Sequence, residues 1–365
     1  MPTAAPDADS RPTHRRVDEG AFGVDLPPYK TRPWLFSGRL QTAAVPLAKV
    51  RRLHREFASR RLIVPLDDGS GDRTDVYHYW PPGQQPWRSG RPVVLLVHGL
   101  GGHSHSAYVT CSAAALLDAG YEVLMPNFRG AGTSRDLAGT LHHPGRSEDL
   151  DLILRGLAET APESDGRDLF AVGFSLGGHL LLKFLADLAD APDPIPQRLT
   201  MAVTASAPLS LDTTSQRLDE WPNWPFNRYL LHKIKSEIVR PLAILSDRER
   251  AIIDEVRSVR EIDQRLTAPR LGYDDAPAYY RANSAIEGLS EIALPTLLIH
   301  SLDDPFVADA DYEHPDIEAN PHLQTLLLPD GGHVGFFSGQ SGSRWIDRAL
   351  IALLQAKPWE TEQTE

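Results

Sequence analysis

Short apolar runs alternate with longer amphipathic segments along most of this chain. Continuous apolar runs of this kind are typical of strands that are buried on both faces of a sheet. Strands are predicted at Pro92–Val97, Tyr121–Met125, Leu169–Val172, Thr200–Thr204, Thr296–His300 and Thr325–Leu328. Helices are predicted at Ala107–Ala119, Glu148–Thr160, Leu176–Leu188 and Arg344–Leu354. Because strands and helices alternate, the pattern predicts an α/β fold with a mostly parallel, doubly wound sheet.

Two further strands are predicted before this alternation begins. Leu62–Leu66 and Thr74–Trp80 flank the turn-rich segment Asp67–Gly71, and Pro81–Gly83 follows the second strand. Turn residues between two short strand-like runs indicate a hairpin. We therefore expect antiparallel strands on the N-terminal side of the sheet.

The alternation stops between residues 206 and 290. This stretch contains Trp221–Phe226, charged helical segments and then Tyr279 and Tyr280, with no convincing buried strand. We interpret residues 206–290 as a helical cap inserted into an α/β core of residues 28–205 and 291–356. Residues 1–27, rich in Pro, Asp, Arg and Ala, are predicted to form a disordered N-terminal tail, and residues 357–365 a C-terminal tail.

Composition and charge restrict the partners. The chain has 365 residues, of which 41% are hydrophobic, enough for a sizeable core. Its net charge of −12 argues against a nucleic-acid partner, because phosphate binding needs a basic surface. Residues 49–61 are locally basic, with six Lys or Arg against Glu56, and are predicted to be helical. Their basic face is either solvated or contacts anionic lipid headgroups, and the sequence leaves both open.

The sequence also bears on the cellular compartment. No apolar run approaches the ~18 residues that a membrane-spanning helix needs. The N-terminus lacks the apolar segment of a secretory signal. With the single cysteine Cys111 no intrachain disulfide can form. We therefore expect a cytoplasmic protein with no transmembrane segment, and the oligomeric state stays open.

The strongest chemical motif is Gly173–Gly177, of sequence Gly-Phe-Ser-Leu-Gly. It follows a predicted strand and opens a predicted helix, which is the context of a nucleophile elbow. Such a sharp turn exposes the hydroxyl of Ser175 at the carboxyl edge of the sheet. The N-terminus of the following helix favours negative charge that develops beside it. An ordinary glycine-rich turn is the alternative interpretation.

A serine nucleophile needs a base, and the base needs an orienting carboxylate. In elbow-containing folds the chain order is serine, acid, histidine, each after a strand. Asp303 and Asp304 follow the strand that ends at His300, and His333 follows the last strand. We predict Asp304 as the acid, with Asp303 hydrogen-bonded locally, and keep Asp303 as the alternative.

An oxyanion formed during acyl transfer needs two backbone N–H donors. We predict the amide of Leu176, directly after the nucleophile, and that of Leu100, in the loop His98–Gly102. This loop is not a dinucleotide fingerprint, because Ser104 stands where the third glycine is required. His98, His103 and His105 cluster nearby, but no carboxylate or cysteine pattern with zinc spacing accompanies them. No cofactor and no metal are expected.

Together these motifs resemble the YheT-type branch of the α/β hydrolases, over most of the chain. The matching segments are Trp34–Gln41, His98–Val109, Asn127–Gly130, Gly173–Gly178, Tyr279–Ser284, Pro295–His300, Asp303–Phe306 and Gly331–Phe336. The resemblance implies an α/β-hydrolase fold and a Ser-Asp-His hydrolase. It also implies short- or medium-chain acyl esters as substrates and, for some members, phospholipids or acyl transfer to an alcohol.

The expected function is therefore hydrolysis of carboxylic esters through an acyl-enzyme intermediate. A small-molecule acyl ester is the expected partner, and lipid-derived esters fall within this class. Two alternatives remain open. An alcohol rather than water could take the acyl group, which would make the protein an acyltransferase. A non-catalytic ligand-binding member of the fold would keep the architecture without the reaction.

Overall fold

One eight-stranded sheet organises the described residues. The computed structural model describes residues 20–140, 143–191, 194–238, 245–339 and 344–360. The strands are β1 (Ala58–Pro65), β2 (Arg73–Trp80), β3 (Val93–Val97), β4 (Val123–Pro126), β5 (Asp168–Phe174), β6 (Arg198–Ala205), β7 (Thr296–Ser301) and β8 (Leu323–Leu328). Their order across the sheet is β1-β2-β4-β3-β5-β6-β7-β8. All eight predicted strands are present, with ends shifted by a few residues.

Strand direction reverses twice at the β1 end of the sheet, so that β2 alone runs against the other strands. β1 pairs with β2, and β2 with β4, in antiparallel fashion. From β4 to β8 every neighbouring pair is parallel. The predicted mostly parallel sheet with antiparallel strands on its N-terminal side is confirmed. All carboxyl ends from β3 to β8 therefore meet at one edge, where ligand sites form in such folds.

Helices cover both faces of the sheet. Along β3, Val93, Leu95 and Val97 belong to one apolar cluster and Val94 and Leu96 to the other, because successive side chains point to opposite faces. The helices outside the β6–β7 connection are α1 (Gly38–Ala44), α2 (Leu53–Glu56), α3 (Ala107–Asp118), α4 (Glu148–Thr160), α5 (Leu176–Asp187), α12 (Pro315–Ala319) and α13 (Trp345–Ala356). α4 and α5 pack on the first cluster, and α3 and α13 on the second.

The connection between β6 and β7 consists of helices joined by short loops, with no strand among its described residues. Its helices are α6 (Leu211–Asp219), α7 (Trp224–Ile238), α8 (Asp247–Glu255), α9 (Val259–Ile262), α10 (Ala268–Arg270) and α11 (Ala276–Asn283). A π-helical turn, Asp263–Thr267, separates α9 from α10. Leu231, Val256, Val259 and Ile262 form a small apolar cluster apart from the two sheet clusters. We propose that residues 206–290 form a cap over the sheet. No helix among the described residues is long and apolar enough to cross a membrane.

Both predicted tails overlap packed residues. Ala21 and Leu26 are buried, and the amide of Phe22 donates to Oε1 of Gln324 (2.8 Å). At the other end, Trp359 is buried within a short 3₁₀ turn, Pro358–Glu360. Composition alone hides these contacts, because single apolar residues in polar segments carry no periodic signal. The remainder of the two predicted tails, residues 1–19 and 361–365, lies outside the described residues.

The helix predicted over residues 49–61 is wrong. Only one turn, α2, is helical there, and β1 begins at Ala58. Arg61 Nε donates to Asp75 Oδ2 (2.7 Å) on the neighbouring strand β2. Pairing along the whole length of β2 outweighs the helix preference of a charged segment, because tertiary contacts override intrinsic propensity.

Candidate active site

The turn between β5 and α5 holds Ser175 in a backbone conformation that few non-glycine residues adopt. Its φ is 53° and its ψ is −126°. The flanking glycines are required by space. A Cβ on Gly173 would lie 2.5 Å from Cα of Gly178, and one on Gly177 would lie 2.4 Å from the carbonyl oxygen of His98. Glycine at both positions lets the strand and the helix meet at this angle and leaves Ser175 on the outside of the turn.

Three side chains predicted from the sequence form one hydrogen-bonded chain. His333 Nε2 lies 2.7 Å from Ser175 Oγ, and His333 Nδ1 lies 2.9 Å from Asp304 Oδ2. The three residues follow β5, β7 and β8, whose carboxyl ends share one edge of the sheet. The geometry allows the imidazole to accept the serine proton while the carboxylate holds the opposite ring nitrogen.

Asp304 sits in surroundings that keep it ionised. It is buried, and its Oδ1 accepts hydrogen bonds from the amides of Phe306 (2.8 Å) and Val307 (3.1 Å). Burial by itself would raise the pKa of Asp304, but the His333 ring and the backbone amide outweigh it and hold the pKa below its ordinary value. The carboxylate is therefore available to orient His333 and to stabilise its protonated form.

Asp303 contacts the histidine loop rather than the histidine ring. Its Oδ1 accepts hydrogen bonds from Ser301 Oγ (3.0 Å) and from the amide of Gly332 (2.8 Å). These contacts agree with the local role expected for Asp303. The two neighbouring carboxylates thus bind different parts of one loop. Asp304 binds the ring of His333, and Asp303 binds the backbone of Gly332.

Two hydroxyl groups that sequence reasoning missed also hold this loop. The amide of His333 donates to Thr42 Oγ1 (2.9 Å), and the amide of Val334 donates to Ser206 Oγ (3.1 Å). Thr42 lies on α1, which packs so closely that a Cβ on Gly38 would fall 1.8 Å from the carbonyl oxygen of Asp303. In the sequence, only the family resemblance of the neighbouring segment Trp34–Gln41 drew attention to this region, and it indicated no role for the Thr42 hydroxyl.

The loop after β3 lies against the serine. A Cβ on Gly99 would be 3.0 Å from Ser175 Cβ, so any side chain there would crowd the nucleophile. Leu100, in this loop, and Leu176, the first residue of α5, both line the cavity above Ser175 and His333. Their positions are compatible with the predicted pair of oxyanion donors.

The histidines near this loop have structural partners. His98 is buried, with Nδ1 2.9 Å from the carbonyl oxygen of Gly99 and Nε2 accepting from the amide of Phe128 (3.2 Å). His105 lies between Tyr79 Oη and Ser104 Oγ, each at 2.9 Å. Burial lowers the pKa of His105 to about 4, so the ring is neutral at pH 7. These rings fix the backbone around the candidate site.

A cavity of about 1120 Å³ opens above Ser175. Part of its apolar wall comes from α6, α7, α9, the π-helical turn and the loop after β7: Leu211, Leu218, Phe226, Leu230, Ile234, Val259, Ile262, Leu266 and Phe306. Phe226 and Tyr229 line it, whereas Trp221 and Trp224 do not. Such a cavity fits a substrate with an apolar chain.

One buried acid interrupts the apolar wall. Asp263 lines the cavity at the start of the π-helical turn, and its Oδ2 accepts a hydrogen bond from Tyr280 Oη (2.7 Å). Burial raises the pKa of Asp263 to about 6. The sequence did not indicate that Asp263 is buried, because it is one of many charged residues in this helical stretch. In the described part of the chain, no group of three His, Cys, Asp or Glu side chains is placed to hold a metal ion.

Comparison with known proteins places this geometry in context. Residues 92–340 match the family described as "alpha/beta hydrolase fold". The chain is 34% identical to the putative esterase YheT of Escherichia coli, over 75% of this chain and 78% of that protein. It is 26% identical to a monoacylglycerol lipase of Saccharomyces cerevisiae, over 84% and 68% of the two chains. It is 27% identical to human phospholipase ABHD3, over 90% and 78%.

Solved structures agree on the architecture. The Pyrococcus furiosus esterase Pf2001 superposes with a TM-score of 0.53 at 16% identity, over 92% of this chain and 97% of that one. A 2,6-dihydroxy-pseudo-oxynicotine hydrolase superposes with a TM-score of 0.52 at 18% identity, over 87% and 71%. At such identities the likeness shows the fold alone, and the predicted α/β-hydrolase fold is confirmed.

Proposed function

Because the chain belongs to the α/β-hydrolase family, and within it to the YheT type, we propose that it is a serine hydrolase that cleaves carboxylic esters. One observation carries the proposal, the continuous hydrogen-bonded chain from Ser175 through His333 to Asp304, with distances of 2.7 and 2.9 Å. Relatives named as an esterase, a lipase and a phospholipase support hydrolase activity.

The first half of the reaction forms an acyl-enzyme. His333 Nε2 takes the proton of Ser175 Oγ while Oγ attacks the carbonyl carbon of the ester. Asp304 stabilises the imidazolium that results. The backbone amides of Leu176 and Leu100 donate to the carbonyl oxygen as it becomes negative, and α5 adds the positive end of its dipole. Collapse of the tetrahedral intermediate expels the alcohol, which receives its proton from His333.

The second half frees the acid by the same route. His333 removes a proton from water, the hydroxide attacks the acyl carbon, and the same two amides hold the oxyanion. Ser175 Oγ leaves and regains its proton from His333. The site thereby returns to its starting state, so the chain needs no cofactor for this reaction.

The substrates that we propose are short- to medium-chain acyl esters, including lipid-derived ones. The apolar wall formed by residues such as Phe226, Leu230 and Ile234 would receive the acyl chain. Removal of a chain of this size from water contributes about 0.8 kcal/mol per methylene group. The monoacylglycerol lipase and phospholipase among the relatives favour the same class.

A fluorophosphonate probe tests whether Ser175 is activated. Such probes phosphonylate serine hydroxyls that a neighbouring base has made nucleophilic. We expect the wild-type chain and Ser215→Ala to be labelled, and Ser175→Ala to remain unlabelled. Ser215 is the matched control, because it lines the same cavity but bonds to Arg260 rather than to a histidine. Equal labelling of Ser175→Ala and wild type would refute the proposal.

A further inference from the structure

The exposed large apolar side chains of the described residues are unevenly distributed. All of them lie in three segments of the chain, whereas apolar side chains exposed singly over the whole surface would need no explanation. They are Trp34, Phe36, Leu40, Leu47 and Val50 of the N-terminal segment, Trp221, Trp224, Tyr229 and Leu271 of the proposed cap, and Leu302 after β7. Exposure of so many apolar side chains to water costs free energy, which indicates that these residues bind a partner.

Direct contacts join the three segments. α1 lies against the loop after β7, because a Cβ on Gly38 would overlap the carbonyl oxygen of Asp303. Two residues further along this loop, the carbonyl oxygen of Pro305 accepts a hydrogen bond from Asn223 Nδ2 (2.7 Å). Helix α1, which carries Leu40, and the turn Trp221–Asn223 of the proposed cap therefore both contact the loop that carries Leu302. We call the exposed residues of the three segments the docking surface.

The docking surface also reaches the entrance of the cavity. Val50 and Tyr229 both line the cavity, yet 47% and 49% of their respective surfaces are exposed. Residues that face the cavity and the solvent at once lie where the two meet. Whatever covers the docking surface would thus be placed at the opening that leads to Ser175.

The charge around the docking surface indicates which kind of partner binds there. Between Leu26 and Arg55 the chain has seven cationic side chains and no carboxylate side chain, although its net charge is −12. The cationic residues are Lys30, Arg32, Arg39, Lys49, Arg51, Arg52 and Arg55. Arg39, Lys49 and Arg52 are exposed, and within the described ranges none of them forms an ion pair. This local basic character persists although the helix predicted over residues 49–61 is absent.

Three cations of residues 49–61 form ion pairs with carboxylates of the chain. Arg51 pairs with Glu56 and Asp118, and Arg61 pairs with Asp75. Arg60 pairs with Glu163. The cations Arg39, Lys49 and Arg52, which are exposed and unpaired among the described residues, all precede β1, in the stretch of chain that also carries Trp34, Phe36 and Leu47.

We propose that the docking surface binds a lipid surface that contains anionic headgroups. Tryptophan and other apolar side chains insert at the headgroup level, and neighbouring Lys and Arg attract anionic lipid. A second copy of this chain is a poorer partner, because it would bring an equally basic segment to the contact. The proposal concerns binding and holds whether or not Ser175 is a nucleophile.

Flotation with lipid vesicles tests the proposal on the full chain carrying Ser175→Ala, which leaves the lipid intact. We expect binding to vesicles of phosphatidylcholine with phosphatidylglycerol and much weaker binding to phosphatidylcholine alone. High salt should weaken binding, because the screening length falls from ~10 Å at 0.1 M salt to ~3 Å at 1 M. Failure to bind the anionic vesicles would overturn the proposal.

Paired variants locate the surface. Lys49→Glu with Arg52→Glu should lower partitioning onto anionic vesicles by roughly tenfold or more. Trp34→Ser with Phe36→Ser should lower it to a similar extent at every salt concentration. The matched control is Arg88→Glu with Arg198→Glu, since these residues are exposed near the starts of β3 and β6, at the opposite edge of the sheet. The control should bind as the parent does, and an equal loss in the control would overturn the proposal.

Two further measurements keep the result interpretable. Thermal unfolding followed by circular dichroism checks that each variant folds, which exposed positions should permit. Light scattering checks the oligomeric state. One contrary result is a parent that forms a dimer and fails to bind vesicles, while Trp34→Ser with Phe36→Ser is monomeric. That result would overturn the lipid proposal and assign the surface to a second copy of the chain.

Discussion

The amide of His333 donates a hydrogen bond to the hydroxyl of Thr42, 2.9 Å away and 291 positions earlier in the chain. Thr42 Oγ1 in turn donates to the carbonyl oxygen of Gly38 (2.7 Å), which fixes the hydroxyl in one direction. The N-terminal segment therefore positions the histidine of the candidate site. It does so from the backbone side, while Asp304 holds the ring.

Thr42→Val should impair catalysis without unfolding the protein. The substitution keeps the shape of the side chain but leaves the His333 amide without an acceptor, at a cost of about 1–3 kcal/mol. The cost destabilises the loop conformation in which His333 contacts Ser175. As a result, kcat/KM for a p-nitrophenyl ester should decrease by about tenfold to a hundredfold. Thr42→Ser retains the hydroxyl and should recover most of the activity. Equal activity in Thr42→Val and wild type would mean that the bond does not position His333.

The neighbouring aspartates should separate sharply in activity. Asp304→Asn changes the partner of His333 Nδ1 and should reduce kcat by about 10³–10⁴-fold, because the imidazole loses its orienting carboxylate. Asp303→Asn retains an acceptor oxygen for Ser301 and Gly332, so kcat should stay within about tenfold of wild type. Steady-state kinetics on one ester measures both. The reverse ranking would assign the triad acid to Asp303.

Arg129 should matter for stability rather than for turnover. Its buried guanidinium pairs with Asp72 (2.9 Å) and Asp149 (2.7 Å) and also with Asp68, which ties the loop between β1 and β2, the loop after β4 and α4 together. Arg129→Met leaves buried carboxylates without their partner and should lower the free energy of unfolding by about 3–5 kcal/mol.

A surface pair provides the comparison for Arg129. Arg155 pairs with Asp151 on α4 with both side chains about one-third exposed (34% and 30%), so Arg155→Met should cost about 0–1 kcal/mol. Urea unfolding of both variants measures the difference. Similar losses in the two variants would show that the buried network carries no special weight.

Asp263 should make stability depend on pH in the direction opposite to most carboxylates. Its pKa is raised from 3.8 to about 6 in the folded chain, so the folded state binds more protons than the unfolded state between these values. The free energy of unfolding contributed by this group therefore falls as pH rises through that window. Asp263→Asn keeps an acceptor oxygen for Tyr280 and cannot titrate.

The pH dependence of unfolding then isolates the Asp263 carboxyl. Between pH 4 and 7 the variant should lose less stability than wild type, by up to about 3 kcal/mol, since each pKa unit corresponds to about 1.4 kcal/mol. Asp254→Asn, at an exposed position of α8, should follow the wild-type curve. Parallel curves for Asp263→Asn and wild type would show that Asp263 is ionised normally.

The sequence by itself determined the order of the strands, the elbow at Ser175 and the two later loops that carry the aspartate pair and His333. These features are local. Apolar runs decide which segments are strands, and the glycines at 173 and 177 are needed because backbone atoms leave no room for a Cβ. Chain order and strand direction then place the three residues at one edge of the sheet.

Only the tertiary structure decided which aspartate faces His333, that Thr42 and Ser206 hold its loop, and that residues 49–61 are mostly not helical. Each depends on contacts between segments far apart in the chain. Asp303 and Asp304 are chemically identical, and the turn after β7 points one at the ring and the other at the backbone. The periodicity of a sequence does not predict these side-chain orientations. They are determined when α1 and the loops after β7 and β8 pack together and satisfy one another's hydrogen-bonding groups.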